Sequence, residues 1–304
     1  MSLTVLLQNS APLREKLRDT FKTPPHDLSA EMVAPPLSKS YPLVGTAVDY
    51  LLRFKVKHIN GKRLATADDW VADQALDMLR GHLLSKGSKK VGLGRMNERS
   101  VSAKRLLESL ESNHKAAKKR AAAYLKSGKA TDELIESAVF LARLDAFYRA
   151  GLIDPGLMEI DADALQDTRS VFSQARDQHF TVLRSCYLNP TFGKGSTLVG
   201  GADADLILDD MLVDIKTTMH LRLERKYFDQ LLCYYVLSLI GGINGSPKIK
   251  PIKKVGIYFN RHGLMWSASI SDLGSEEDWK DFKKWFVDHL KHHPWWLKST
   301  LEFA

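Results

Sequence analysis

The stretch LVGGADADLILDDMLVDIKTTMHLRLERKYFDQLLCY, Leu198 to Tyr234, decides how the chain is read. Two apolar-rich runs, Ala202 to Leu208 and Met211 to Thr217, read as strands on either side of Asp209-Asp210, a pair suited to a tight turn. A two-residue loop sets Leu208 opposite Met211, Ile207 opposite Leu212 and Leu206 opposite Val213. One step further out Asp205 faces Asp214, and beyond that Asp203 faces Lys216. Because alternate residues of a strand share a face, the spacing predicts all four charged side chains on one side of the hairpin. Opposed carboxylates repel unless something positive lies between them, and a hard divalent cation with oxygen ligands meets that need.

An ordinary hairpin with one solvated face would carry the same acids. Two features argue against it. The acids are set in Leu-Ile-Leu and Met-Leu-Val runs, which suit a sheet covered on both faces, where an unpaired charge is costly. The next segment, read as an amphipathic helix starting near Leu221, carries Gln230 and Tyr234 four apart on one face.

These residues resemble a known family. Gly201-x-x-x-Asp205, then Asp214-Ile215-Lys216, then Gln230-x-x-x-Tyr234 is similar to the PD-(D/E)XK nuclease superfamily, and within it to the RecB-like exonuclease branch. The family pattern Gly-x-x-Asp is also met by Gly200 and Asp203, so Asp203 stands beside Asp205 as first metal ligand, Asp205 having the better opposition to Asp214. The family's first motif, Gly-x-x-x-His on a helix, is matched by Gly45 to Asp49 with Asp in place of His. Asp49 therefore reads either as a ligand or as a residue that caps or pairs within its own helix.

The resemblance implies an α/β fold: a restriction-endonuclease-like core with a mixed central sheet flanked by helices, plus a helical insertion. It implies a Mg²⁺- or Mn²⁺-dependent deoxyribonuclease, exonuclease rather than endonuclease, serving DNA repair, recombination, phage biology or defence. Asp205, Asp214 and the main-chain carbonyl of Ile215 would hold the metal, with Asp203 and Asp49 as further candidates. Lys216 would orient the attacking water or stabilise developing charge, and Gln230 and Tyr234 would hold the substrate. The alternatives are a catalytically inactive nucleic-acid-binding or partner-recruiting module of the same fold, and a hydrolase of another phosphoester.

Composition agrees with this reading without requiring it. At 304 residues the chain holds one large domain or two small ones, and its net charge of +8 suits DNA as well as it suits an ordinary basic protein. Cys186 and Cys233 are the only two cysteines, in apolar contexts without ligand spacing. That excludes a disulfide scaffold, a four-cysteine zinc site and the iron–sulfur cluster of some RecB-like relatives. Met1 to Gln8 lacks the basic start and apolar core of a secretory signal, and the uncharged run Leu231 to Ile243 is too short to span a bilayer. The expectation is a cytoplasmic protein with DNA as partner, a helicase or other protein as a second partner, and no membrane.

Residues 1–40, with Pro24-Pro25 and Pro35-Pro36, read as an irregular arm with one short helix near Leu13 to Phe21. Residues 41–60 and 179–304 are assigned to the nuclease core and 61–178 to the insertion. Within the insertion, helical periodicity covers Asp69 to Leu84, Val101 to Lys126, Asp132 to Ala150 and Ala162 to Gln178, with a loop over Ser85 to Arg95. The second of these carries Lys115, Lys118, Lys119 and Arg120, read as a solvated face. His179 to Tyr187 reads as a strand, and Gly193-Lys-Gly-Ser196 as a turn, since the Gly-x-x-x-x-Gly-Lys-Ser/Thr spacing of a phosphate loop is missing. Lys253 to Phe259 and Leu264 to Ile270 form a second hairpin, and Ser275-x-x-Asp278 starts a last helix with Trp279, Phe282 and Phe286 inward. His292-His293 beside Trp295-Trp296 reads as a packed, partly exposed tail rather than a metal site.

Overall fold

The structure is a computed structural model that describes residues 2–24, 28–64, 70–85, 90–92, 100–150, 156–157, 159, 161–246 and 251–292. The chain opens with α1 (Leu3–Asn9) and α2 (Ala11–Thr20), followed by α3 (Tyr41–Asn60) and α4 (Val71–Ser85). A short antiparallel ribbon, β1 (Lys90–Gly92) with β2 (Ser100–Ser102), precedes α5 (Ala103–Ser127), α6 (Asp132–Ala150) and α7 (Ala162–Ser173). Then come β3 (Cys186–Leu188), α8 (Lys194–Leu198), β4 (Leu206–Leu208), β5 (Met211–Lys216) and α9 (Arg225–Gly241). The chain finishes with β6 (Lys254–Phe259), β7 (Leu264–Ser269), α10 (Ile270–Leu273) and α11 (Glu276–His292). Among the described residues no helix is long and apolar enough to cross a membrane.

Two compact units form: Met1–Glu31 with Val182–Phe259 and Leu264–Ala304, and Met32–Thr181 with Asn260–Gly263. The first is α/β. Its five-stranded mixed sheet runs β3-β4-β5-β6-β7, antiparallel except between β5 and β6. A parallel neighbour needs a crossover, and α9 supplies it. This helix buries Phe228, Asp229 and every residue from Leu231 through Leu237, as a helix enclosed by a core does, with Gln230 left half-buried. It shares one core with Leu3 and Leu6 of α1, Leu13 and Leu17 of α2, and Phe282 and Phe286 of α11. The capping box is present at α11: Asp278 N–H donates to Ser275 Oγ at 3.1 Å, and Ser275 N–H to Asp278 Oδ2 at 2.9 Å.

The second unit is helical, with α3, α4, α5, α6 and α7 packed together. Thr131 caps α6 through a hydrogen bond from Leu134 N–H to its Oγ1 at 3.3 Å. Arg261 and Asp167 form an ion pair at 2.8 Å with both side chains wholly buried.

Several elements differ from expectation. The N-terminal segment has two helices rather than one, because Leu3, Leu6 and Leu7 give α1 a buried face of its own. Residues 41–60, grouped with the strands on sequence, pack here within the helical unit. The strand expected over 179–187 is confined to Cys186–Leu188, preceded by a 3₁₀ turn at Asp177–His179. Helix α9 starts at Arg225 rather than Leu221, since Glu224 is extended (φ −62°, ψ 138°). Of the tail cluster, His293, Trp295 and Trp296 lie outside the described residues, as does most of the loop over 85–95.

Gly193-Lys-Gly-Ser196 turns out to be a packing device. A Cβ on Gly195 would come within 2.5 Å of the Leu237 carbonyl oxygen, and one on Gly241 would overlap that of Phe192. Only glycine lets α8 and α9 approach this closely, and the contact sets Phe192 with its ring 5.7 Å from that of Tyr234.

Candidate functional site

The β4–β5 register is Leu206 with Val213, Ile207 with Leu212 and Leu208 with Met211, closed by a two-residue turn at Asp209-Asp210. Asp209 takes the left-handed conformation (φ 57°), and its carboxylate accepts N–H bonds from Leu183, Arg184 and Ser185 at 2.9, 2.7 and 3.1 Å. Burial pushes its carboxyl up, but those three donors and the Arg184 guanidinium outweigh it, so Asp209 lies below the usual carboxylate range. It is a structural acid that fixes the hairpin.

Beyond Leu206 the ladder with β5 stops. Residues 202–205 run instead along the extension of β3: Asn189 N–H donates to the Asp205 carbonyl at 3.0 Å, Ala204 N–H to that of Pro190 at 3.1 Å, and Asp203 bridges Thr191. The expected opposition of Asp203 and Lys216 is therefore not formed. Asp205 does reach β5, where Ile215 N–H donates to its Oδ2 at 2.6 Å.

Asp214 and Lys216 sit at the end of β5 and share a face of the strand. Lys216 Nζ lies 2.7 Å from Asp214 Oδ2, the carboxylate side chain 4 % exposed and the lysine 20 %. Burial raises the Asp214 carboxyl above its ordinary value despite the ammonium beside it. Burial also pulls the Lys216 ammonium down, but Asp214 and then Asp205 hold it above the usual lysine value, so it stays charged.

From Lys216 the contacts run into α9. Its ammonium donates to Gln230 Oε1 at 3.1 Å, and Gln230 Nε2 donates to the Tyr234 hydroxyl at 3.0 Å. Burial first, then the negative charges of Asp214, Asp205 and Asp203, raise the Tyr234 phenol well above its ordinary value. The N-terminus of α9 is fixed by Arg225, which bonds Asp229 at 2.7 Å, the Phe21 carbonyl at 2.9 Å and Thr23 Oγ1 at 3.0 Å. The N-terminal segment thus holds the helix that presents Gln230 and Tyr234.

Sequence reasoning missed Tyr227, whose ring lies 4.9 Å from Lys216 Nζ. The signal was available, since Tyr227, Gln230 and Tyr234 follow i, i+3, i+7 spacing on one helix face. Asp49, named as a further ligand, lies in the second unit, where its Oδ2 pairs with Arg53 Nη2 at 2.7 Å. Among the described residues no three His, Cys, Asp or Glu side chains converge as a ready-made metal site. At the end of β5 the candidate oxygens are the Asp205 and Asp214 carboxylates and the Ile215 main-chain carbonyl, while Asp203 pairs with Thr191.

Comparison with protein-family models, with curated proteins and with solved structures finds no match for this chain.

Proposed function

We propose that the first unit is a metal-dependent DNA nuclease with a restriction-endonuclease-like core of the RecB-like type. The observation that carries this reading is the continuous chain of contacts from Asp214 through Lys216 and Gln230 to Tyr234, beside the Asp205 carboxylate. The Lys216 ammonium at the centre of that chain is one-fifth exposed, within reach of a substrate.

The donor set fits Mg²⁺ or Mn²⁺. Asp205, Asp214 and the Ile215 carbonyl offer only hard oxygens, and Asp214 Oδ2 has its ion partner but no well-directed hydrogen bond among the described residues. Such an ion supplies Lewis-acid polarisation of a phosphoryl oxygen and a lowered pKa for an attacking water. Lys216, held protonated by its acidic neighbours, stabilises negative charge developing on the scissile phosphate. Gln230 fixes that ammonium through Oε1. The Tyr234 hydroxyl accepts from Gln230, which leaves its own hydrogen to donate to a substrate oxygen. DNA is the proposed partner, in keeping with the net charge of +8.

The test is cleavage by the purified chain of linear, circular and single-stranded DNA in Mg²⁺ or Mn²⁺, with Asp214→Ala as control. Cleavage that requires metal and is lost in the variant supports the proposal. No cleavage of any form with either metal overturns it, and a metal titration then separates a binding module that holds the ion from one that does not.

A further inference from the structure

At the end of the sheet away from Lys216, the first unit opens a cavity of about 670 Å³ between α9, the start of β6 and α11. Lys254 pairs with Met211 and Phe259 with Lys216, so this cavity and the acidic cluster lie at opposite ends of β5, roughly 17 Å of strand apart. Its floor is apolar, made by the buried side chains of Tyr235, Ile252, Ile270 and Trp279. Leu239, 39 % exposed, stands at its lip. Among the described residues the rim carries four lysines, Lys253, Lys254, Lys280 and Lys283, against one lining carboxylate, Glu276. None of the four ammonium groups has an ion-pair partner among the described residues.

We propose that this groove docks an extended acidic segment of a partner protein, with one apolar side chain entering the floor and flanking carboxylates meeting the lysines. An apolar floor ringed by uncompensated cations is complementary to an acidic peptide with an apolar anchor. It is not complementary to nucleic acid. The two lining rings, Trp279 and Tyr235, are 4 % and 9 % exposed, with Phe21 stacked on Trp279 at 4.1 Å, so neither offers an open face to a base. Among the described residues the groove has no lining arginine, and the first turn of α11 is already capped by Ser275 and Asp278, which removes a helix-end phosphate cradle. The inference does not depend on the chemistry at Asp214.

The experiment is fluorescence anisotropy of the full chain with a labelled decapeptide of Glu and Asp around a central Phe. Binding is expected to weaken with salt, by about tenfold or more in Kd for Lys254→Glu with Lys280→Glu, and by about threefold for Leu239→Ser. Both lysines are exposed, so the charge-reversed chain keeps its far-UV spectrum, and Lys254→Gln with Lys280→Gln gives an intermediate Kd. Affinity of the charge-reversed chain within about twofold of the parent overturns the proposal, since charge complementarity carries it. Displacement of the peptide by an equal concentration of oligothymidylate also overturns it, by making the groove a nucleic-acid surface.

Discussion

Each unit contains a buried ion pair, and the two are finished differently. In the helical unit Arg261 bonds both carboxylate oxygens of Asp167 at 2.8 and 3.0 Å and the Ala34 carbonyl at 3.0 Å, while Asp167 also accepts Ser38 N–H at 3.3 Å. Neither side chain has any exposed surface. In the α/β unit Asp214 and Lys216 are nearly as deep, yet the ammonium keeps an exposed fraction and passes its hydrogen bonds on to Gln230. In the first pair both Nη atoms and both carboxylate oxygens meet protein partners, only Arg261 Nε lacking one among the described residues, and the pair serves the fold. The second keeps donor and acceptor capacity at a surface, as a site needs, and its burial is what makes that capacity strong.

The largest expected effect is chemical. Asp214→Ala and Lys216→Ala each lower DNA cleavage by about 10⁴-fold or more, roughly 5.5 kcal/mol of transition-state stabilisation, measured as single-turnover rates in Mg²⁺. Near-parent turnover in either variant would make the open pair as structural as the closed one. The next effect falls on the closed pair. Asp167→Ala strands a guanidinium that cannot lose its proton, at a cost of about 3–5 kcal/mol in urea unfolding. Asp214 differs here, because it can take up a proton once Lys216 is gone, so Lys216→Ala is expected to cost less stability than Asp167→Ala. A reversed order breaks the comparison.

The contrast was only half legible in the sequence. The β4–β5 register follows from local information, an Asp-Asp turn between apolar runs, and a turn of fixed length leaves one register that buries both strands. The spacing of Gln230 and Tyr234 is equally local. Arg261 and Asp167 are 94 positions apart, and nothing near either residue announces the other. The placement of Asp203 was illegible for a related reason: it is set by pairing to residues 189–191 and not by the hairpin itself. The grouping of α3 with the helices likewise rests on long-range burial, with Tyr50 donating toward Asp145 and accepting Ala72 N–H at 3.1 Å.

Replacing both members of the open pair sharpens the comparison further. Asp214→Leu with Lys216→Met removes two desolvated charges, and stability is expected to stay level or rise by about 1–4 kcal/mol while cleavage disappears. A marked loss of stability would show that the pair holds the sheet together.

The pH dependence has opposite signs for stability and activity. Burial raises the folded Asp214 carboxyl above its unfolded value, so protonation favours the folded state. Its contribution is fully present below the unfolded pKa and is lost as pH rises through the folded one. Lys216, also raised, contributes stability across the whole acidic and neutral range and loses it only above the ordinary lysine pKa. The proposed activity needs the carboxylate to hold the metal, so protons compete with the ion and cleavage is expected to fall at low pH, while that group's contribution to the stability of the metal-free protein grows. Parallel pH profiles for cleavage and for Tm, each compared with Asp214→Asn, check the sign. Cleavage by Asp214→Asn with the parent's rate and pH profile would remove Asp214 from the reaction.

The smallest expected effect is at Gln230. Its amide has one role toward Lys216 through Oε1 and another toward Tyr234 through Nε2, and no charge of its own. Gln230→Ala therefore leaves the acidic pair and the ammonium in place and removes only their orientation. The expected loss in turnover or DNA affinity is about tenfold, near 1.4 kcal/mol, the size of one hydrogen bond to a charged group. Binding of Mn²⁺ by the acidic pair, followed by calorimetry, should stay within about twofold, since a residue that does not touch the donor oxygens has little leverage on them. Gln230→Glu separates orientation from packing: its carboxylate can still accept from Lys216, so it restores cleavage partly if positioning the ammonium is the role. If Gln230→Ala cleaves and binds DNA like the parent, the amide is packing alone, and the contact chain that distinguishes the open pair from the closed one ends at Lys216.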